Sequence, residues 1–440
     1  MIGCKIIGLV PAFALCALAQ WFDSPSALAQ RVSEQTEHKL TFNFELRGRY
    51  EQHDGVAFGK DPDLENGVIR TRFAASYRPV SWLKFSGMLQ DARSPWYGAN
   101  APNSVRDPVD LQESYLELFP DTKTGFGMTA GRRMISYGEG RLIGVPDWSP
   151  LARTYDHARV YYRWPKARLE FLFVSPVKIR LDGFNKPVLG DHIWGAYTVF
   201  PGLYKKTALD WYVLRREQNR PGGFTGGSTL AGTDKLRINT FGFRLYGPLP
   251  SAFAYSIEGA VQTGKVAVAR QRAGAWVSRL SKDFSVSGKT LTASLEYKFA
   301  SGNKDPHDLS RNGTFDQLYA SNHDRFGHED LFGWRNVHDL RSLEALAVTK
   351  AIAVNFMYNN LWLASARDAL YNSQGRAIAQ SAAGTAGRHI GQETDLFATY
   401  RHEHWLLGAG CGYFFAGDFV RHTTPGASPI YVYFFHDYSF

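Results

Sequence analysis

Arginine is the residue type in this chain whose spacing could do chemistry. Arg47 and Arg49, then Arg70 and Arg72, stand two residues apart on successive segments, and Arg132, Arg133, Arg141, Arg159, Arg163 and Arg244 follow. A guanidinium stays charged at every relevant pH and grips a carboxylate through two parallel hydrogen bonds. A ladder of such groups along a water-filled passage would recruit a polycarboxylate and hand it on. The plainer alternative is that each arginine neutralises a wall carboxylate such as Glu45, Glu113, Glu117 or Glu258. For any one arginine both readings stay open; the set together favours a solute.

Other chemistries find less support. No Gly-x-Ser-x-Gly elbow occurs. Gly138-x-Gly140-x-x-x-Gly144 misses the dinucleotide fingerprint by one residue and opens no helix. Ser81-x-x-Lys84 and Ser175-x-x-Lys178 both match Ser-x-x-Lys, and two unrelated hits in one chain show how loose that motif is. His307, His323, His328 and His338 crowd one segment with Asp305, Asp308, Asp324, Glu329 and Asp330, at spacings that match no zinc pattern. A solvated loop is the favoured reading, with calcium on the aspartates as a lesser one. We assign no catalytic residue, no metal ligand and no cofactor.

The elements that must carry the arginines are strands. From Leu40 onward the period is two: Phe42, Phe44 and Leu46 alternate with Asn43, Glu45, Arg47 and Arg49, and Ile69, Phe73, Ala75 and Tyr77 with Arg70, Arg72 and Ser76. Phe253, Tyr255, Ile257 and Val261 likewise oppose Ser256, Glu258 and Gln262. Short joints fall at 78–81, 120–124, 164–166, 200–205, 247–251, 282–288, 349–350 and 402–404. Longer polar stretches lie between them at 51–67, 91–110, 134–156, 174–189, 217–235, 263–272, 300–338, 364–389 and 416–429. Nine long loops alternating with eight short turns predict 18 strands, or 16 if one hairpin is misplaced. Short periplasmic turns and long extracellular loops on an even number of antiparallel strands describe a single transmembrane β-barrel. Val432, Phe434, Tyr438 and the terminal Phe440 alternate as well, the pattern read by the barrel-assembly machinery.

Composition agrees. The 440 residues include 50 Lys+Arg against 41 Asp+Glu, a net charge of +9, with 44% apolar and 14% aromatic residues and 42 glycines. With a mean hydropathy of −0.29 and no long apolar run past the N-terminus, a helical membrane bundle is excluded. Lys5, the apolar stretch Ile6 to Ala19 and the small-x-small tripeptide Ala27-Leu28-Ala29 predict a signal peptide over 1–29, with cleavage after Ala29 and Ala19 as second choice. Residues 30–440 are then one barrel. Cys4 and Cys16 leave with the leader, so Cys411 alone remains and neither a disulfide nor a cysteine zinc site can form within one chain.

One long segment is specific. Gly131-Arg-Arg-Met-Ile-Ser-Tyr-Gly-Glu-Gly-Arg-Leu-Ile-Gly-Val-Pro-Asp-Trp148, followed by Thr154-Tyr-Asp-His-Ala-Arg159, resembles the alginate export family of Gram-negative outer-membrane barrels. Ala300-Ser-Gly-Asn-Lys-Asp-Pro-His-Asp308, Thr314-Phe-Asp-Gln-Leu-Tyr319 and Gly333-Trp-Arg-Asn336 resemble the same family. Asn303 stands where the family pattern leads us to expect an acid after Gly302. The resemblance implies an 18-strand barrel whose arginine-lined pore passes an anionic polyuronate out of the cell. Arg132, Arg133, Arg141 and Arg159 lie inside the matched motif; Arg47, Arg49, Arg70, Arg72 and Arg163 rest on strand parity alone.

The expected function is a passive outer-membrane pore for an anionic, alginate-like polysaccharide, gated by the loops at 134–156 and 300–338. The expected partners are that polymer, outer-membrane lipid and the barrel-assembly machinery, with room for periplasmic export partners and none for nucleic acid. The rivals are an anion-selective uptake porin for small organic acids or oligosaccharides, and a non-conducting surface barrel serving as an adhesin or enzyme.

Overall fold

The computed structural model describes residues 25–96, 104–121, 123–204, 206–219 and 235–440. Most of the expected leader lies outside these residues; Ala27-Leu28-Ala29 falls within a short helix, Pro25–Gln35. Eighteen antiparallel strands form the wall. They are β1 Leu40–Asp54, β2 Leu64–Val80, β3 Leu83–Arg93, β4 Asp107–Leu118, β5 Gly125–Arg133, β6 Tyr155–Trp164, β7 Ala167–Lys178, β8 Asp191–Tyr204 and β9 Thr207–Gln218. There follow β10 Leu236–Pro248, β11 Phe253–Val266, β12 Ala269–Val286, β13 Lys289–Ala300, β14 Val337–Ala347, β15 Ile352–Leu363, β16 His389–His402, β17 Trp405–Ala416 and β18 Ile430–Ser439. Each strand pairs with the next, and β18 returns to β1 from Ser439↔Glu45 to Ile430↔Asp54, closing the barrel so that no edge is left open.

Pleating puts successive side chains on opposite faces. On β2, Ile69, Phe73 and Tyr77 are nearly half exposed, whereas Arg70 and Arg72 are buried. The same inversion runs round the wall: Phe171, Trp211, Val261, Leu295 and Phe434 face outward, while Glu170, Asp210, Gln262, Glu296 and Lys298 are buried inside. Apolar outside and charged inside is the pattern of a barrel standing in lipid. No helix among the described residues is long and apolar enough to cross a membrane. Phe440 finishes the seam: it exchanges two 3.2 Å backbone hydrogen bonds with Phe44 and stacks on its ring at 5.8 Å.

The eight short turns and eight of the nine long connections fall at the expected joints, although strand runs on to Tyr204 within 200–205 and to Val286 within 282–288. The exception is 263–272, where β11 and β12 run on to a two-residue turn at Ala267 and Val268. Its residues read as loop because the outward-facing Thr263, Lys265, Arg270 and Arg272 are polar and exposed; Gln271, facing inward, bonds Gln262 and the Thr314 carbonyl. The Gly/Ser/Thr patch at 222–233 lies outside the described residues, and the Ala/Gly patch at 377–387 begins in a small hairpin, Ala369–Tyr371 with Ala377–Gln380.

Candidate functional site

The long loops do not stand clear of the barrel. The 134–154 loop turns inward through Gly138 and Gly140, whose φ of +57° and +73° are ones that side-chain-bearing residues rarely adopt. Its Ile135, Leu142 and Ile143 then pack with Phe315, Leu318 and Tyr319 of the 301–336 loop in one buried cluster. The two loops also share backbone hydrogen bonds, Tyr319 N to Leu142 O at 2.8 Å, Gly144 N to Tyr319 O at 3.1 Å and Ser321 N to Gly140 O at 2.9 Å. The 364–388 loop closes over them, with the Asp368 carboxylate accepting from Thr314 Oγ1 and from Asn303 N, each at 2.6 Å. The upper lumen is thus filled by an inner layer of loops.

Two acids fasten this layer to the wall. Asp147 reaches Arg47 at 3.4 Å, Arg70 at 3.1 Å and Arg72 at 3.0 Å on β1 and β2. Glu45 sits beneath, 2.6 Å from Arg70 and 3.4 Å from Arg72. Across the lumen, Glu139 meets Arg141 at 3.0 Å, Arg244 at 3.1 Å, Arg279 at 2.7 Å and Arg325 at 3.8 Å. Burial would raise the Glu139 carboxyl, but these four guanidiniums overcome it and hold it down at about 2. Burial likewise opposes Asp147, and Arg70, Arg72 and Arg47 outweigh it to keep that carboxyl below its usual range.

The anticipated arginines therefore separate into groups. Arg47, Arg49, Arg70 and Arg72 do face inward, but they are engaged by the loop: Arg49 donates to the Trp148 carbonyl, lies 4.3 Å over the Trp148 ring and pairs with Glu51 at 3.1 Å. Arg141 is enclosed, 2.6 Å from Glu296 and 4.0 Å from Glu258. Arg133 pairs with Glu117 at 2.8 Å over the Tyr115 ring. Arg163 lies at the short-turn end, where it donates to the Pro120 carbonyl at 2.8 Å. Arg132 corrects the expectation: it stands opposite Asp156 on the outer face and pairs with it at 2.7 Å. Consecutive residues of one strand cannot both enter the lumen, and Arg133 is the one that does.

Below the loop layer, on the short-turn side, a luminal cavity of about 290 Å³ is lined by Arg159, Arg168, Glu170, Tyr197, Asp210 and Arg244, among others. Glu170 pairs closely with Arg168 and meets Arg159 at 3.5 Å, while Arg244, held by Glu139 at 3.1 Å, reaches Asp210 at 3.5 Å and stacks on Tyr246 at 3.8 Å. Arg168 was missed as a site residue, although it shares the inward parity of Glu170. Arg216 was missed too; it is wholly buried between Asp191 at 3.1 Å and Asp316 at 3.0 Å, and ties the 301–336 loop to the wall. The crowded histidine segment divides: His323, Asp324 and His328 converge, with one ligating atom of each within 4.8 Å of the others, while His338 turns to Tyr297 at 2.7 Å.

Comparison with known proteins places this architecture. Among solved structures, Pseudomonas aeruginosa OpdK superimposes with a TM-score of 0.62 at 10% identity, over 91% of this chain and 98% of that one. The same protein with vanillate gives 0.60 over the same shares, also at 10% identity. Pseudomonas aeruginosa OccK2 (OpdF) in complex with glucuronate gives 0.60 at 10% identity, over 91% of this chain and 96% of that one. No curated protein sequence matches the chain. The model of the alginate export family matches residues 38–434, and the chain belongs to that family, as an 18-stranded pore of the Gram-negative outer membrane.

Proposed function

We propose that this pore passes anionic saccharides bearing carboxylates, of the uronate type, and that Arg159, Arg168 and Arg244 recognise them. The observation that carries the reading is the cavity beneath the loop layer, where three guanidiniums face two carboxylates, Glu170 and Asp210. Arg159 and Arg168 share the one carboxylate of Glu170, and the Glu139 that meets Arg244 is divided among four guanidiniums, so positive charge is left over for a solute here. Tyr197, which donates to Asp210 at 2.8 Å, and Tyr246 line the same space. Membership of the alginate export family supports a uronate polymer, and the carboxylates bound by two structural neighbours, glucuronate and vanillate, support the acid group. Transport is passive, with transient bidentate contacts strong enough to recruit and weak enough to release.

The test is planar-bilayer conductance of the refolded barrel, with polymannuronate titrated into one chamber. Anion-selective current that the polymer blocks in a dose-dependent way, with block lost in Arg159→Ala/Arg244→Ala, supports the reading. Anion current indifferent to uronates moves the function to a porin for other small acids. Cation selectivity would sink the proposal.

A further inference from the structure

Around Arg325, which helps to hold Glu139, the 301–336 loop gathers histidines and acids that this clamp does not use. The chain reverses at Asp324, whose φ is +63°, and at Gly327, whose φ is +104°. The reversal stacks the His323 and His328 rings 5.2 Å apart. Asp324 Oδ1 then lies 2.7 Å from His328 Nε2 and 3.5 Å from His323 Nε2. The outer nitrogens are held from behind: His323 Nδ1 is 3.0 Å from the Asp330 carboxylate, and His328 Nδ1 is 3.0 Å from the Tyr433 hydroxyl. A carboxylate can only accept, so Asp330 keeps the His323 proton on Nδ1 and leaves the Nε2 lone pair facing Asp324. A carboxylate behind the far nitrogen of an imidazole is the arrangement that orients histidine toward a metal.

The inner nitrogen of His328 is the second sign. His328 is only 5% exposed, and its Nε2 aims into this point with no well-formed hydrogen bond, Asp324 standing beside it as an ion-pair contact. Glu329, Glu393 and Asp395 are buried nearby and carry oxygens that also lack partners. Arg49 and Arg341 are the cations that face the cluster from the neighbouring strands. The Asp324 side chain is 61% exposed, so an ion can reach it and water can complete the shell.

We propose that His323, Asp324 and His328 bind one divalent transition-metal ion, of the zinc class, in the lumen. Bonds of about 2.0–2.1 Å in a tetrahedral site put ligand atoms about 3.4 Å apart, inside the observed spread of separations. Two imidazoles and one carboxylate suit zinc-like ions, whereas calcium and magnesium take all-oxygen shells. Trp148 stacks on His323 at 4.7 Å and 4°, so the bound ion stiffens the junction between the two inner loops. The proposal holds whatever solute the pore carries.

The test is titration of Zn²⁺ into tag-free, chelator-stripped barrel in detergent by calorimetry, with Co²⁺ absorption as a second readout. We expect one saturable Zn²⁺ per chain and tetrahedral Co²⁺ bands, both abolished in His323→Gln and His328→Gln. Asp330→Asn, which replaces no ligand but removes the charge behind His323 Nδ1, weakens binding about 10- to 100-fold. Heat-modifiable migration confirms that each variant is folded. No saturable Zn²⁺ binding by the wild type, binding that folded variants leave unchanged, or ready displacement by equimolar Ca²⁺ would each overturn the site.

Discussion

Glu139→Gln removes the charge that holds the inner loop layer on the β10–β12 side while keeping the side chain's shape. Four guanidiniums lie within 4.0 Å of this carboxylate, and against burial they hold it at about 2 rather than the ordinary 4.5. At 1.36 kcal/mol per pH unit that difference is roughly 3 kcal/mol in all; Arg141 lies on the same loop and moves with Glu139, so the share that favours the docked loop, from Arg244, Arg279 and Arg325, is on the order of 1–2 kcal/mol. The folded value is depressed, so the contribution is complete above about pH 4.5 and vanishes as pH falls through about 2. The neutral amide would lose it at every pH, shifting the balance between docked and released 134–154 loop on the order of 10-fold. Single-channel recording should show frequent transitions to a larger conductance. Anion selectivity should rise too, because Arg244 and Arg279 lose a partner beside the 290 Å³ cavity. Hydrogen exchange should quicken in 134–154 and in the partner segment around Tyr319. A folded, heat-modifiable E139Q barrel with unchanged conductance, selectivity and exchange would refute the clamp.

The wild type should conduct alike from pH 7 to about 4.5, then acquire the E139Q behaviour between about 4.5 and 2, reversibly, in bilayers acidified on the long-loop side. Reversal potentials should separate two arginines: Arg244→Ala lowers anion selectivity, and Arg132→Ala leaves it unchanged, since Arg132 pairs with Asp156 on the outer wall. Equal effects would mean that the strand faces are assigned wrongly. Deleting Phe440 removes two backbone hydrogen bonds and a ring contact from the barrel seam, a loss of about 2 kcal/mol at roughly 1 kcal/mol per bond, and should slow refolding into liposomes as read by heat-modifiable migration.

The wall was legible because a barrel in lipid writes a period of two with inverted polarity, and Ile69-Arg70-Thr71-Arg72-Phe73 shows it on five residues. The joints were legible because short turns and long loops must alternate between the two ends. The 263–272 connection misled for a physical reason: its outward-facing residues, Thr263, Lys265, Arg270 and Arg272, are polar and exposed where the rest of the wall is apolar, so it has the composition of a loop while pairing as strand. Parity separates Arg133 from Arg132, but it says nothing of partners. Arg47 meets Asp147 across 100 positions and Arg141 meets Glu296 across 155, distances over which no local pattern reports. The convergence of His323 with His328 was hidden for a related reason, since a left-handed reversal at Asp324 creates a juxtaposition that spacing alone does not encode.

What the wall arginines do follows from counting charges where they meet. A lumen studded with guanidiniums and nothing else would bind a polyanion too well to release it, because bidentate contacts add along the chain. The inner loops relieve this by bringing Asp147 to Arg47, Arg70 and Arg72, and Glu139 to Arg244 and Arg279. The barrel supplies positive charge in excess, and the loops decide how much of it a solute meets. Selectivity is then a property of the 134–154 and 301–336 loops more than of the strands. Exchanging Asp147 and Glu139 for neutral residues should change what the pore prefers more than any single wall arginine does, and a double variant whose selectivity shifts no further than Arg244→Ala would return the specificity to the wall.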